Sequence, residues 1–542
     1  MTTCITAYEA QFDGTNWTDI TADVIRDGTI PFGYGIRGNS PTDRVASTGE
    51  MQFELRNDAG NSAHLQGYYT PGHSNCRDGF TIGLKIRLRV TYEGQTKTMF
   101  YGRIPADGIK PTAGLYGMRR VAVTVRDWID IAANHEMVSP EFATDKTITE
   151  VAALITANMD IAPLSTDYRT GTETFPNVFD TVRSKTRALT ELAKVANSEP
   201  GYIYLIHSTT ADEVLRVEGR YTRNDERASL SDSTNYFVDE SGNHFVDESG
   251  NYFVGNETSP FIANNAQIDM PTPEIKFYNR VKITSYLRRR DASPVTLATV
   301  QSAIYVAAGA SVPITLRYKD PTGNANSVSG INMIAPEATT DFLANTLANG
   351  GGTNLTPSFT FAAVGGVFGT GDCQMLITNN SASNGYLLAG SKVRGTGVYI
   401  DDPADTVSED TTSITANGAY ELTIDQKYQD SINTAQSIAP FMLNLYKTPR
   451  LVVDSVKYCA NSNDVNMAAF FYLEPGDRIA ISEDVTGIDS QFFIQGKEAE
   501  ILPGDIIFYT FYIKDAGLDT FTFCRWDGVA ATDGWDVGVW AI

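Results

Sequence analysis

A strict alternation of apolar and polar positions dominates the first 130 residues. In MQFELR, Met51, Phe53 and Leu55 alternate with Gln52, Glu54 and Arg56; in IGLKIRLRV, Ile82, Leu84, Ile86, Leu88 and Val90 alternate with Lys85, Arg87 and Arg89. Period two means a strand with one buried face and one wet face. RRVAVTVRDW repeats it with Val121, Val123 and Val125, and loops such as GYYTPGHSNCRDG carry the Gly, Pro and Asn that turns require. Residues 1–130 therefore read as an N-terminal β-barrel or sandwich.

Past residue 130 the period lengthens. TITEVAALITANM opens with Thr147 and Glu150 at capping-box spacing and sets Ile148, Val151, Ala152, Ile155 and Met159 on one helical face. In KTRALTELAKVANSEPG, Leu189, Leu192, Ala193 and Ala196 share a stripe, and Pro200 with Gly201 ends the helix before a hairpin-like pair, YIYLIH and EVLRVEGR. Residues 131–230 thus predict an α+β domain.

The next stretch, 231–262, contains NYFVDESGNHFVDESGNYFVGNET, one eight-residue phrase said three times. Short apolar runs, Tyr236–Val238, His244–Val246 and Tyr252–Val254, are separated by turn chemistry: Asp239, Glu240 and Gly242, then Asp247, Glu248 and Gly250. Runs this short need to stack, as a meander or, in a trimer, as parallel coils about the threefold axis. Near-identity of the copies marks a place that tolerates added length, which is an exposed surface elaboration. The acidic turns lack the full ligand series of a calcium-binding EF-hand loop.

YNRVKITSYLRRRD then reads as a strand, and 296–400 is rich in Gly, Asn, Thr and Ser with short strands VPITLRY and CQMLIT, the pattern of an inserted β-sandwich. DSINTAQSIAPFMLNLY predicts a helix over 430–446 with Ala435, Ile438, Ala439, Met442 and Tyr446 aligned and a kink at Pro440. Strands return in LVVDSVKY, RIAIS, FFIQGKEAEIL and IIFYTFYIK. The last is apolar on both faces and belongs in the middle of a sheet or barrel.

Composition narrows the picture. A chain of 542 residues exceeds one ordinary core, so three to five domains are expected. Tyr and Phe at 26 each, with 42% apolar residues, favour a mainly β chain with a smaller α+β part. The formal charge of −23 argues against tight nucleic-acid binding, while a wall of the same sign as DNA suits a passage through which DNA slides. The opening MTTCITAYEAQFDG has no basic, then apolar, leader, and no run of 18 apolar residues occurs, so neither ordinary export nor membrane spanning is expected. Cys4, Cys76, Cys373, Cys459 and Cys524 are odd in number and show no CxxC spacing, which points to folding in a reducing cytoplasm.

Candidate chemistry is sparse. His64, His73 and Cys76 share a loop and are soft ligands, but incidental histidines in a Gly- and Asn-rich loop account for them equally, and no metal or cofactor is assigned. There is no HExxH, GxSxG or P-loop pattern, and carboxylates are too abundant for a glycosidase pair to stand out, so no catalytic residue is assigned. Arg288, Arg289 and Arg290 form the tight basic run. They suit an acidic neighbour or a phosphate, or are solvated or paired across a subunit contact. Trp526, Trp535 and Trp540 near the end suit sugar stacking, or burial in a final strand against a neighbouring domain or subunit.

The order of the pieces resembles a known family. WTDITADVIRDGTI, DRVASTGEMQFELRND, GYYTPGHSN and FYGRI are similar to the opening of minor tail, or tail-hub, proteins of long-tailed bacteriophages and their prophages. LTELAKVANSEPGYIYLIH…LRVEGRYTR resembles the helix, hairpin and arginine-bearing turn of their second domain. NRVKITS, YVAAGASVPITLRYKDP, EDTTSITANGAYELTID, LEPGDRIAI and, less closely, RWDGVAATDGWDVGVW extend the likeness over nearly the full chain.

The resemblance implies a homotrimeric hub at the distal end of the tail tube, each chain bringing two tube-like β-barrels around a lumen for DNA. One barrel would lie near the N-terminus. The second, 263–295 with 401–542 and including helix 430–446, would have the strand at 276–288 returning with 450–515, while the 296–400 sandwich projects outwards. Implied partners are the distal tail protein, the tape measure protein, the tail tube and a central fibre or tip protein, with assembly in the host cytoplasm and location at the distal end of the virion tail. A receptor- or glycan-binding tip protein is the alternative, touching the host surface through the sandwich and the tryptophans. A cell-wall hydrolase, carried by some longer relatives, is the third reading.

Overall fold

The computed structural model describes residues 2–515 apart from 39, 113–118, 139, 170, 172, 183–184, 221, 223–261, 264–273, 324–326, 367 and 484–487. Strands hold 42% of the described residues and helices 16%, so the chain is mainly β. It is divided among several sheets and four apolar cores.

The largest sheet has 14 strands among the described residues and takes them from both ends of the chain. Its main path runs Ile262–Ala263, Arg478–Glu483, Ile488–Leu502, Ile30–Gly35, Glu50–Arg56, Arg120–Arg126, Gln95–Arg103, Lys85–Tyr92, Ile5–Ala10 and Thr18–Asp19. The period-two reading holds here: Met51, Phe53 and Leu55 face Val125, Val123 and Val121 in register, and all six are buried. Ile82 is a correction. It is exposed, because Gly83 turns the chain with φ +80° and the strand begins only at Lys85.

The two ends meet where Ile30–Gly35 pairs with Ile488–Leu502, from Ile30 opposite Ile501 to Gly35 opposite Gly496. Both strands are extended by close backbone approach at that corner. Gly35 has φ +94°, and a Cβ there would lie 2.7 Å from the Gly496 Cα and 2.8 Å from the Gln495 carbonyl oxygen, so no larger side chain fits. A bulge at Gln495 lets the long strand continue from Gly35 to its other partner, Ile506–Asp515. That last strand has neighbours on both sides, Ser455–Cys459 and Ile488–Leu502, as its apolar composition predicts.

Two expectations are corrected by these pairings. None of the sheets closes into a barrel among the described residues. Nor does the strand near 280 return with 455–515: Arg280–Ser285 lies between Ala404–Glu409, antiparallel, and Glu421–Gln426, parallel. Among the described residues only Glu274–Lys276 reaches 450–452. The reason is local matching. Val281 and Ile283 share an apolar face with Leu422 and Ile424, and the helix Ile432–Tyr446 covers that face with Ala435, Ile438, Ala439 and Met442. Pro440 sits inside this helix with its ring exposed, and the carbonyl it deprives of a donor belongs to exposed Gln436, which water can satisfy.

The α+β part follows its sequence signals, with one shift. Helix Ile148–Ala157 carries the complete Thr147–Glu150 capping box and buries four of the five apolar residues expected, Ile148, Val151, Ala152 and Ile155; the fifth, Met159, is buried too but lies past the helix end at Asn158. Helix Ala188–Ser198 buries Ala188, Glu191, Leu192, Val195 and Ala196, while Leu189 and Ala193 stay half-buried. The stripe is rotated because Glu191 is itself an inward anchor: it accepts from Thr186 Oγ1 at 2.6 Å and from the Tyr428 hydroxyl, and pairs with Lys194 at 2.8 Å. Tyr202–Ile206 and Val214–Glu218 form the predicted hairpin.

Between Arg288 and Ile400 the strands pair only with one another among the described residues, in three antiparallel sheets over one core. VPITLR and CQMLIT are direct partners, Ser311–Arg317 against Asp372–Asn379. No helix of the described residues is long and apolar enough to cross a membrane.

Gly35→Ala is expected to destabilise the chain by about 2 kcal/mol or more, because positive φ and two backbone clashes coincide. Denaturant unfolding measures it. A loss below about 0.5 kcal/mol would mean that the corner is not as closely packed as described.

Candidate functional site

Where the two ends of the chain meet, three segments converge on the end of one helix. Asp464–Tyr472 terminates inside the protein, and its last carbonyls need donors. Lys97, on strand Gln95–Arg103, donates from Nζ to Phe471 O at 2.8 Å and to Tyr472 O at 3.4 Å. Lys497, on Ile488–Leu502, donates to Leu473 O at 3.1 Å and to Phe470 O. Two ammonium groups thus cap the negative end of the helix dipole.

Glu474 neutralises them. Its Oε1 lies 2.6 Å from Lys97 Nζ and 3.9 Å from Lys497 Nζ. Tyr34 Oη donates to its two oxygens at 3.0 and 2.8 Å, and the His207 backbone N–H donates to Oε2 at 3.1 Å. Side-chain exposures of 3% for Lys97, 0% for Lys497 and 8% for Glu474 put the cluster out of reach of bulk water. The turn that presents Glu474 is closed by its own N–H donating to Asp477 Oδ2 at 2.8 Å. Gly476 in that turn has φ +99°, and a Cβ on it would lie 2.1 Å from Tyr204 Oη.

Burial sets the protonation states. It pushes the Glu474 carboxyl up, but Lys97 and Lys497 together outweigh it and hold the group below its ordinary value. Burial drives Lys497 down to about 7 against the pull of Glu474, and Asp477 up to about 6. His207, whose ring meets Tyr34 edge-on at 4.4 Å, is driven by burial down to about 4. Neither of its ring nitrogens has a hydrogen-bond partner among the described residues, so it is neutral at pH 7.

Further charge clusters also join segments. Arg87 reaches Glu9 at 2.6 Å and Asp212 at 2.8 Å while its guanidinium covers the Trp17 ring at 4.1 Å, tying the first sheet to the hairpin loop. Asp127 and Glu213 face each other in the same region. Burial raises both, Glu213 to about 7, and both are engaged with backbone N–H groups at the start of helix Trp128–Asn134. Arg288 and Asp180 pair at 2.8 Å with both side chains fully buried.

That last pair decides the basic run. Arg288 also donates to the carbonyls of Tyr286 and Lys427, so it is spent within the chain and is not a partner contact. Arg290 donates to Pro176 O at 2.7 Å and Asn177 Oδ1 at 2.9 Å; Arg289 lies over the Tyr399 ring at 4.5 Å, with its side chain half exposed. The run therefore fastens the inserted sandwich to the α+β part. Trp526, Trp535, Trp540 and the repeat-turn residues Asp239, Glu240, Gly242, Asp247, Glu248 and Gly250 lie outside the described residues. His64, His73 and Cys76 make separate local bonds, to Ala59 O, from Asn75 N and to Arg77 O, and no group of three metal-type ligands occurs among the described residues. A wide depression of ≈ 570 Å³ is lined by Thr2, Thr3, Tyr92, Glu93, Ser462, Asn463 and Asp464, and in it the Thr2 hydroxyl donates to Asp464 Oδ1 at 2.5 Å.

Neither a protein-family profile nor a curated protein sequence matches the chain. Among solved structures, a tail protein from Neisseria meningitidis is similar at 10% identity and TM-score 0.41, over 95% of this chain and 98% of that one. The 43 kDa tail protein of prophage MuSo2 from Shewanella oneidensis is similar at 9% identity and TM-score 0.42, over 95% and 99%. Prophage tail protein gp18 from Listeria monocytogenes is similar at 8% identity and TM-score 0.38, over 94% of each. At this level none of the likenesses carries a function across.

Two outcomes follow from the buried cluster. Glu474→Gln takes the counter-ion from the buried Lys97 ammonium, 2.6 Å away, and is expected to lower stability by about 3–5 kcal/mol, read by denaturant unfolding; a near-neutral effect would show that the charge is solvated. For His207, the folded state refuses a proton that the unfolded chain accepts near its ordinary value of 6.5. Stability from this site is therefore full above that pH and falls as pH drops towards 4. His207→Phe should gain on the parent by on the order of 3 kcal/mol between pH 7 and 4. Glu213 and Asp477, which contribute with the opposite sign, are common to both proteins. Parallel pH–stability curves would refute the assignment.

Proposed function

We propose that this chain is a structural protein of a bacteriophage tail, a trimeric hub at the distal end of the tail tube. The observation that carries the reading is the 14-stranded sheet built from both ends of the chain and left unclosed, with its buried charges engaged in holding segments together. The ordered sequence motifs that resemble tail-hub proteins support the same reading.

Open sheets present unpaired backbone at their edges, and a ring of copies satisfies it. Ser455–Cys459 is one such edge, bonded among the described residues only to Ile506–Asp515. In this proposal tube-like walls are completed between neighbouring copies around a lumen, and not within one chain. The net charge of −23 keeps DNA moving through such a lumen without adhesion. Tail tube, distal tail protein and tape measure protein would dock above, a central fibre or tip protein below. The role in this reading is a structural one, with the deeply buried ion pairs Lys97–Glu474 and Arg288–Asp180 each joining separate segments of the chain. The site of action is the virion tail, after assembly in the host cytoplasm.

Sedimentation of the purified chain should give a particle of about three times 59.1 kDa, and negative-stain images should show a threefold ring with a central hole. A monomer at every concentration up to about 50 μM would overturn the hub reading, because a ring that closes its own sheet edges should persist well below that.

A further inference from the structure

The outer part of the inserted sandwich differs electrically from the rest of the molecule. Charged residues make up 20% of the chain, yet none occurs in 292–316, 342–371 or 373–391. These stretches supply two of the sandwich's sheets: Ile304–Val306, Gly385–Leu387 and Ala344–Asn345 in one, Ser311–Arg317, Asp372–Asn379 and Phe359–Ala363 in the other. The charges that bound the lobe are matched at its base. Arg394 pairs with Asp341 at 2.6 Å, and Arg317 stands opposite Asp372 in the strand register.

One face of this lobe is aromatic. Tyr305 is directly opposite Tyr386, their rings 5.4 Å apart and edge to face, and Tyr305 is 50% exposed. Leu343 and Leu347 beside them are 47% and 51% exposed, while the alternate residues Val306, Ala344 and Leu387 are buried in the core. The face is also pre-organised. The buried amide of Asn345 donates to Gly350 O and Gly352 O, both at 3.1 Å, and accepts from the backbone N–H of Leu347 and Gly352, fixing the loop that presents Leu347.

We infer that this face binds an uncharged carbohydrate polymer, with Tyr305 and Tyr386 as the platform. The charge pattern selects the ligand. A polyanion would need cations, which the lobe lacks, and a polycation would be drawn to the anionic remainder of the chain and not to its neutral tip. A neutral polyhydroxylated chain asks for flat rings against its C–H faces and for the hydroxyl and amide groups that the Ser, Thr and Asn content of the lobe provides. Binding through uncharged groups also removes any requirement for a counter-ion in a protein of charge −23.

Affinity electrophoresis of the full chain in gels holding dextran, mannan, galactan or starch, with dextran sulfate as the anionic comparison, tests this. Retardation by at least one neutral polymer is expected, unchanged between about 50 and 500 mM salt. Tyr305→Ala with Tyr386→Ala should weaken it about tenfold or more, the loss of two ring contacts. Tyr305→Phe with Tyr386→Phe should keep most of it. Three results would overturn the inference: no neutral polymer retards the protein, only dextran sulfate does and salt abolishes it, or the double alanine variant binds as the parent does. The melting temperatures of both variants check that half-exposed Tyr305 and the more buried Tyr386 are dispensable for folding.

Discussion

Two lysines and one glutamate at a helix end govern this structure. Lys97 comes from the first hundred residues, Glu474 and Lys497 from the last hundred, and each is too deeply buried to carry charge alone. Moving either end away would strand an ammonium or a carboxylate in an apolar core, along with the open carbonyls of Asp464–Tyr472. The cluster therefore makes the union of the two ends obligatory, whatever the intervening 300-odd residues do. Apolar packing in the shared core supplies the bulk of the stabilisation, and the ionic cluster fixes which strands stand side by side.

Much of the architecture was legible because it follows from short-range periodicity. The valine ladder of 121–125, the capping box at Thr147 and the insert's paired strands are local patterns with local outcomes. The tertiary pairings were not. Nothing in YNRVKITS says that its strand prefers ELTIDQ to the C-terminal strands, since both offer an apolar face of similar length. Barrel closure failed for a related reason: the corner at Gly35 and Gly496 joins two half-sheets edge to edge, and period two cannot register a bend.

The candidate site shows the same division. Arg288 was visible as a charge and illegible as a clamp, because its partner Asp180 lies over a hundred residues earlier. Lys497 did leave a trace that was available in principle, an inward position in an alternating stretch with Ala499 and Ile501, whereas Lys97 lies in a strand buried on both faces and bulged at Met99. A charge in the inward phase of a strand is a request for a buried counter-ion. Which carboxylate answers it depends on the fold.

The inserted sandwich leaves the body after Ser285 and re-enters at Ala404, and those two residues are partners in adjacent antiparallel strands. Entrance and exit thus sit side by side, about one strand spacing apart. A module entered through such a doorway can be lengthened or shortened away from its buried Arg288–Asp180 clamp while the host sheet keeps its register. An insertion wired this way is free to vary in length between its two ends without disturbing the pairing of the strands that bracket it.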